Sequence, residues 1–393
     1  MLDGLRVLDL ADASGYVCGR TLADLGADVV KVEPPGGDSG RWEPPFAEDQ
    51  PGVDRSLAWL AGNRNKRGIV VDLDSPEFTS LAAVADVIVE TSPPQRIDYA
   101  ALRQANPALV YTTISPFGCD SPLAKTPAGD LEITAASGSL WLAGEPGGTP
   151  VRSTLPQTAN WAGIYAAMGT LMAVLARDAN GGAGQHVDVS AQASMVTAIS
   201  HAHIFWDLLG EEPYRSGPFL TGRSVNGARF RNIWPCRDGY VTFALYGGPA
   251  GRDSSRELVA WIEEAQGASP ALKAVDWSTF DPTRATQAQV DALEADIAPF
   301  IQSLTKDEFF ARFVERNMLG YKVSTVEDIL DDPQLAARAF WHQVQSPWTA
   351  GQTLPFPGSF GLFDGQRSIP RRLAPALGEH TAEVLCEWLG VHA

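Results

Sequence analysis

Short β-branched runs alternate with helical segments through the first 190 residues, and this rhythm constrains the fold more than any other feature. Leu5-Arg6-Val7-Leu8-Asp9-Leu10, Asp28-Val29-Val30-Lys31-Val32 and Gly68-Ile69-Val70-Val71-Asp72-Leu73 read as strands. So do Asp86-Val87-Ile88-Val89 and Leu109-Val110-Tyr111-Thr112-Thr113-Ile114. Such continuous apolar runs suit strands buried on both faces of a parallel sheet. Helices are expected over 17–25, 76–85 and 99–104, with Gly26 closing the first. Strand, helix, strand in this order predicts a doubly wound α/β layer.

Gly/Pro-rich loops are expected at 34–51, 115–129 and 144–150. A long helix follows over 160–177, then a glycine-rich turn, the strand His186-Val187-Asp188-Val189-Ser190 and a second helix over 191–209. Beyond residue 212 the character changes. Residues 210–229 read as a linker. A hairpin is expected over 233–245 with Asp238-Gly239 at its turn, then helices over 256–264, 287–303 and 306–316. This part reads as a smaller α+β domain. The stretch from 325 to the end is expected to hold two short helices and Pro/Gly-rich connections.

Charge narrows the function. The 393 residues carry 30 Lys+Arg against 47 Asp+Glu, a net charge of -17. Such a surface repels nucleic acid and anionic lipid, and a polyanionic ligand would need a local basic pocket. Cys18, Cys119, Cys236 and Cys386 lie far apart without CxxC spacing, which fits free thiols in a reducing compartment. Residues 1–6 carry an early acid and no long apolar core, so no signal peptide is expected. The longest mostly apolar stretch, 162–176, falls short of the roughly 20 residues of a membrane span. A soluble, cytoplasmic protein is the expectation.

Generic motifs add little. No P-loop and no GxSxG elbow occur, and Gly182-Ala183-Gly184 precedes a strand instead of opening a helix. His201 and His203 are two apart, so on one helix they face different ways and do not share a metal. The acidic run Glu327-Asp328-Ile329-Leu330-Asp331-Asp332 reads as a solvated helix end.

The order of segments says more. Residues 2–10, Leu22-Ala23-Asp24-Leu25-Gly26-Ala27-Asp28-Val29-Val30-Lys31-Val32-Glu33-Pro34, Asn65-Lys66-Arg67-Gly68 and Ser115-Pro116-Phe117-Gly118 stand in sequence. Residues 135–140, 182–190, 331–338 and Gly378-Glu379-His380-Thr381 follow in the same order. Together they resemble family III CoA-transferases over nearly the whole chain. Residues 16–18, 234–241 and 335–340 look most like the branch acting on benzylsuccinate.

The resemblance implies a large Rossmann-like domain from residues 1–209 and 325–393, a linker at 210–229, a small domain at 230–324, and two interlocked subunits. It implies a CoA thioester as substrate, with no tightly bound cofactor and no metal. It also implies a catalytic Asp at the start of the long helix, four residues before a glycine. That carboxylate would attack the donor acyl-CoA and pass through anhydride and aspartyl-CoA thioester intermediates. Counting back from Gly163 lands on Ala159. A methyl group cannot attack a thioester. Asn160, one position on, is a poor nucleophile and is expected to cap the helix.

Other positions differ too. Pro34 stands where the family has Arg, and Thr91-Ser92-Pro93-Pro94-Gln95 replaces Asn-Phe-Arg-Pro-Gly. Gly129 stands where the racemase branch has its His. By the same resemblance Asp12, Ala13 and Ser14 match the loop along CoA, Lys66 a CoA-contacting lysine with Arg67 beside it, and Asp130 an auxiliary acid near the reacting centre. Several pocket positions differ together, which favours natural loss of the nucleophile over one engineered Asp-to-Ala change. Three readings follow. The chain is a non-nucleophilic subunit whose paralogous partner carries the Asp; or it is self-sufficient, engineered or using Asp130; or it is a CoA-ester-binding pseudoenzyme.

Overall fold

The computed structural model describes residues 1–91, 97–349, 351–358, 360–367 and 369–391. They form two compact units: Met1–Trp141 with Arg152–Pro213 and Pro333–Ala393, and Leu142–Val151 with Tyr214–Asp332.

The first unit is built on a six-stranded sheet: β1 (Arg6–Asp9), β2 (Asp28–Glu33), β3 (Arg67–Val70), β4 (Val87–Glu90), β5 (Val110–Ser115) and β6 (His186–Ser190). All neighbours are parallel and the order is β3-β2-β1-β4-β5-β6. The helices are α1 (Tyr16–Asp24), α2 (Leu57–Asn63), α3 (Pro76–Val84), α4 (Tyr99–Ala105), α5 (Asp130–Ala136), α6 (Ser139–Leu142) and α7 (Thr158–Ala179). After β6 come α8 (Ala191–Ala198) and α9 (Ala202–Leu209). The doubly wound layer expected from the βαβ rhythm is therefore present.

Strand periodicity sorts the core. Val7, Val29, Val87, Val89 and Val110 pack with Cys18, Leu22, Ala162 and Ala166, from α1 and α7. Leu8, Val30, Ile69, Ile88 and Tyr111 point the other way, against Phe78, Leu81, Val384 and Trp388. Successive strand residues face opposite sides, so one run feeds two cores.

The expected helix over 191–209 is two helices. α8 ends at Ala198, and His201 precedes α9. The run Val196-Thr197-Ala198-Ile199-Ser200-His201 is rich in poor helix formers, so the break has a local cause. β3 is an edge strand. The chain near its end covers it: Gly68 N donates to His380 Nδ1 (3.2 Å), His380 N to Gly68 O (2.9 Å) and Val70 N to Thr381 Oγ1 (3.1 Å). Gly68 is required there, because a Cβ would lie 2.8 Å from Pro375. An edge covered in this way cannot recruit a foreign strand.

In the second unit lie β7 (Phe219–Leu220), β8 (Phe230–Arg231), β9 (Ile233–Cys236), β10 (Gly239–Thr242), α10 (Gly248–Gln266), α11 (Pro270–Ala274), α12 (Gln287–Ser303), α13 (Lys306–Glu315), β11 (Tyr321–Lys322) and α14 (Val326–Leu330). Trp234, Trp261, Phe300, Phe309 and Phe313 fill its core. Thr286 with Gln289 and Thr305 with Glu308 form capping boxes that start α12 and α13. In the acidic run, Asp328 caps α14 and pairs with Lys306, so part of that charge is structural.

The final stretch returns to the first unit with α15 (Pro333–Ala337), the hairpin β12 (Trp341–Gln345) and β13 (Thr353–Pro357), and α16 (Thr381–Leu389). The hairpin and the third helix exceed the two short helices expected there.

Candidate active site

The sheet order reverses between β1 and β4. In open α/β sheets ligands bind outside the carboxyl ends of the strands at such a point. The loop after β1 holds Asp12, Ala13 and Ser14. Asp12 N donates to Thr91 Oγ1, just past β4, at 2.8 Å, which ties the two strand ends together. The Asp12 carboxylate accepts from Ser14 N (2.9 Å) and Ser14 Oγ (2.6 Å), so this exposed turn is preformed. Thr91 is described; Ser92, Pro93, Pro94 and Gln95, which replace the family pattern, lie outside the described residues.

Lys66 is wholly buried. Its ammonium pairs with Asp9 Oδ2 (2.6 Å) and donates to Asn63 Oδ1 (2.8 Å) and Tyr16 O (3.1 Å). Its three donors are spent. Burial pulls its pKa down against the pull of Asp9. The neighbouring Cys18 thiol is pushed up to about 12, by burial first and the Asp9 charge second, so it is inert. Arg67 grips Asp28 at 3.0 and 2.6 Å, and Glu383 and Glu387 at 2.9 and 2.6 Å, which fastens α16 to the sheet. Direct phosphate contact by Lys66 or Arg67, expected from the sequence, is not what this geometry offers: their donors already serve protein oxygens.

Arg41 is a further buried cation that sequence reasoning missed. It binds Glu33 through Nε (2.6 Å) and Nη2 (2.7 Å), and stacks 3.9 Å from the Trp59 ring. Lys31 donates to Ala11 O (2.6 Å) and pairs with Asp38 (2.8 Å), which also accepts from the Tyr16 hydroxyl. Buried charge on this scale is tolerated only where every member is paired. Nothing in the spacing of Gly40-Arg41-Trp42 marks that role.

Ala159 sits in the first turn of α7. One turn on, Gly163 lets α7 approach α1, since a Cβ there would lie 2.6 Å from Val17 Cβ. α7 begins at Thr158, two residues earlier than expected. Asn160 is therefore inside the helix and does not cap it; its amide donates to Pro156 O at 3.3 Å. The cap comes from Asp130, at the start of α5. Its Oδ1 accepts from Gln157 N (2.8 Å), Thr158 N (3.0 Å) and Thr158 Oγ1 (3.0 Å). A carboxylate on the first N–H groups of a helix satisfies orphan donors and complements the dipole. The N-terminus of α7 thus holds a carboxylate from a neighbouring element and a methyl group of its own.

α7 also has an exposed apolar face. Trp161, Ile164, Met168, Met172 and Leu175 recur at helical spacing, with Met172 62% and Leu175 69% exposed. Trp206, Leu208 and Leu209 of α9 are likewise exposed. Among the described residues only α7 is long and apolar enough to cross a membrane. It instead lies against the sheet, where Thr170 Oγ1 meets Thr112 Oγ1 at 2.7 Å. No group of three or more His, Cys, Asp or Glu able to hold a metal occurs among the described residues.

Comparisons with known proteins bear on the family and the fold. The sequence profile of CoA-transferase family III matches residues 2–381. Succinyl-CoA:(R)-benzylsuccinate CoA-transferase subunit BbsE of Thauera aromatica is 35% identical, over 97% of this chain and 93% of that one. Succinate–glutarate CoA-transferase of Agrobacterium fabrum is 29% identical, over 98% and 95%. A CaiB/BaiF family crystal structure from Brucella suis superposes with a TM-score of 0.80 at 28% identity, covering 98% of this chain and 99% of that one.

Proposed function

The chain belongs to CoA-transferase family III, and on that premise we propose that it is the non-nucleophilic subunit of a heteromeric enzyme. A paralogous partner supplies the catalytic Asp. The complex moves CoA from succinyl-CoA to a carboxylic acid such as (R)-benzylsuccinate. The observation that carries this reading is Ala159, a methyl group in the first turn of α7. Asp130 supports this reading as a helix cap: its Oδ1 accepts three hydrogen bonds from the start of α7.

In the complex the partner's carboxylate attacks the succinyl thioester. The C–S bond breaks, CoA leaves as thiolate and a mixed anhydride forms. The thiolate attacks the Asp acyl carbon, which gives aspartyl-CoA thioester and free succinate. The acceptor carboxylate displaces the thiolate to form a second anhydride. The thiolate then attacks the acceptor's carbonyl, and the Asp carboxylate returns. The CoA thioester is the substrate, and no tightly bound cofactor takes part. The Asp12–Ser14 turn is the CoA contact this chain offers, with Lys66 paired to Asp9 at the end of β1 as buried support.

Two features support a partner. The Thauera aromatica relative carries the word subunit in its name. The exposed apolar stripe on α7 is a feature of the kind that marks an interaction site. The deciding experiment is co-expression with a paralogue carrying Asp at the matching position, with transfer assayed for each chain and for the pair. Activity confined to the pair is expected. Robust transfer by this chain alone would overturn the reading. A native preparation without any such paralogue would favour a CoA-ester-binding pseudoenzyme.

A further inference from the structure

Along the β3 edge of the sheet, α2, Trp348 and residues 371–380 line a cleft of about 600 Å³. Ala159 is not among its lining residues, so this cleft is distinct from the first turn of α7. Its lining includes Trp59, Trp348, Arg371, Arg372 and His380.

The polar groups there have an unusual balance. His380 Nδ1 accepts from Gly68 N at 3.2 Å, so the ring carries its proton on Nε2. Arg372 Nη1 lies 3.4 Å from that same Nε2. Two donors therefore face one another with no acceptor between them. Arg371 Nη2 donates to Ala23 O (2.8 Å), and neither it nor Arg372 has a carboxylate partner among the described residues, in a chain of net charge -17. Of the two acids of the lining, Asp54 pairs with Arg41 (2.5 Å), and Glu379 accepts from Ala376 N (2.8 Å) within the same lining. The indole N–H groups are also used, Trp59 on Pro375 O (3.3 Å) and Trp348 on Asp54 O (3.0 Å). Trp348 thus presents only carbon to the cleft, while Trp59 is 3% exposed with Arg41 on its ring.

We propose that this cleft binds an aryl anion: its charged oxygen bridges Arg372 Nη1 and His380 Nε2, and its ring lies against Trp348. An acceptor placed between two facing donors satisfies both, and charge assistance makes such bonds the strong ones. The anion is a carboxylate or a phosphate, and the two are separated by probe.

The test is calorimetric titration of the purified chain with phenyl phosphate, benzylsuccinate and inorganic phosphate. Saturable binding of at least one aryl anion is expected, about tenfold tighter than inorganic phosphate for the ring's contribution. Arg372→Met and His380→Asn should each weaken it about tenfold, as expected for loss of one charge-assisted donor. Asn retains an acceptor for Gly68 N, and Arg372 is an exposed side chain, so both variants keep the fold; unchanged circular dichroism verifies this. Trp348→Phe should reduce the fluorescence change on binding. Absence of saturable binding by either aryl anion, or equal affinity in the wild type and both variants, overturns the proposal.

Discussion

Position 159 places a methyl group in the first turn of α7, and Asp130 supplies the carboxylate at that helix end. Its Oδ1 takes the N–H groups of Gln157 and Thr158 and the Thr158 hydroxyl. Asp130→Ala should destabilise the first unit by about 1–2 kcal/mol, the range for losing a helix cap. Asp130→Asn, which keeps an acceptor oxygen, should lose about half of that. Urea denaturation checks both. If neither variant moves the midpoint, Asp130 is not a cap. Lys66 makes a sharper case. Lys66→Met leaves Asp9 buried and unpaired, which costs about 3–5 kcal/mol. The expected outcome is loss of soluble protein rather than a selective fall in CoA affinity. The sequence marks Lys66 and Asp130 only through family resemblance. Their partners lie elsewhere in the chain, Asp9 57 positions from Lys66 and Gln157 27 from Asp130. Spacing cannot reveal contacts made by the tertiary fold.

Glu294 contributes a pH dependence to the second unit. Burial pushes its pKa up to about 7 from 4.5, although the Arg231 N–H donates to it at 2.6 Å. A carboxyl raised in the folded state binds its proton more tightly there than in the unfolded chain. Its contribution is therefore full below pH 4.5 and is lost as pH rises through 7. Glu294→Gln should stabilise the chain at pH 8 by about 1 kcal/mol, a value discounted for solvent screening. It should also flatten the stability profile between pH 5 and 8; thermal melts across that range decide it.

Elements were far more legible than sites. The β-branched strands of the first unit stand out because burial on both faces demands an unbroken apolar run. The helix over 191–209 was read as continuous because its apolar residues keep a helical period across the poor formers at 196–201. The hairpin of β12 and β13 was missed: Trp341-His342-Gln343-Val344-Gln345 alternates weakly, and its partner strand contains two prolines. The helix pair α1 and α7 depends on Gly163. Gly163→Val would set a branched side chain against Val17, where even a Cβ has only 2.6 Å. An overpacking cost of about 1–3 kcal/mol is expected, read as a lower melting temperature. A neutral result would show that α7 can shift away from α1 without loss.

For the whole molecule, acidity and the missing nucleophile point the same way. A self-sufficient CoA enzyme with a net charge of -17 needs a cationic pocket for the CoA phosphates. Here Pro34 stands at one usual arginine, and Lys66 and Arg67 are committed to carboxylates. The chain alone should therefore bind CoA weakly, and a micromolar dissociation constant by calorimetry would contradict that. The partner surface can be tested apart from chemistry. Met172 and Leu175 are among the most exposed apolar side chains on α7, and neither contributes to the buried core. Met172→Glu with Leu175→Glu adds two charges to a face that association would dehydrate, at a cost of several kcal/mol if buried unpaired. Co-elution with the Asp-bearing paralogue should fall at least tenfold, the change produced by about 1.4 kcal/mol. The isolated chain should meanwhile become more soluble, because the same substitutions break up its apolar patch. A pair that still co-elutes at wild-type strength would place the partner on a different face and leave the stripe on α7 without a role in assembly.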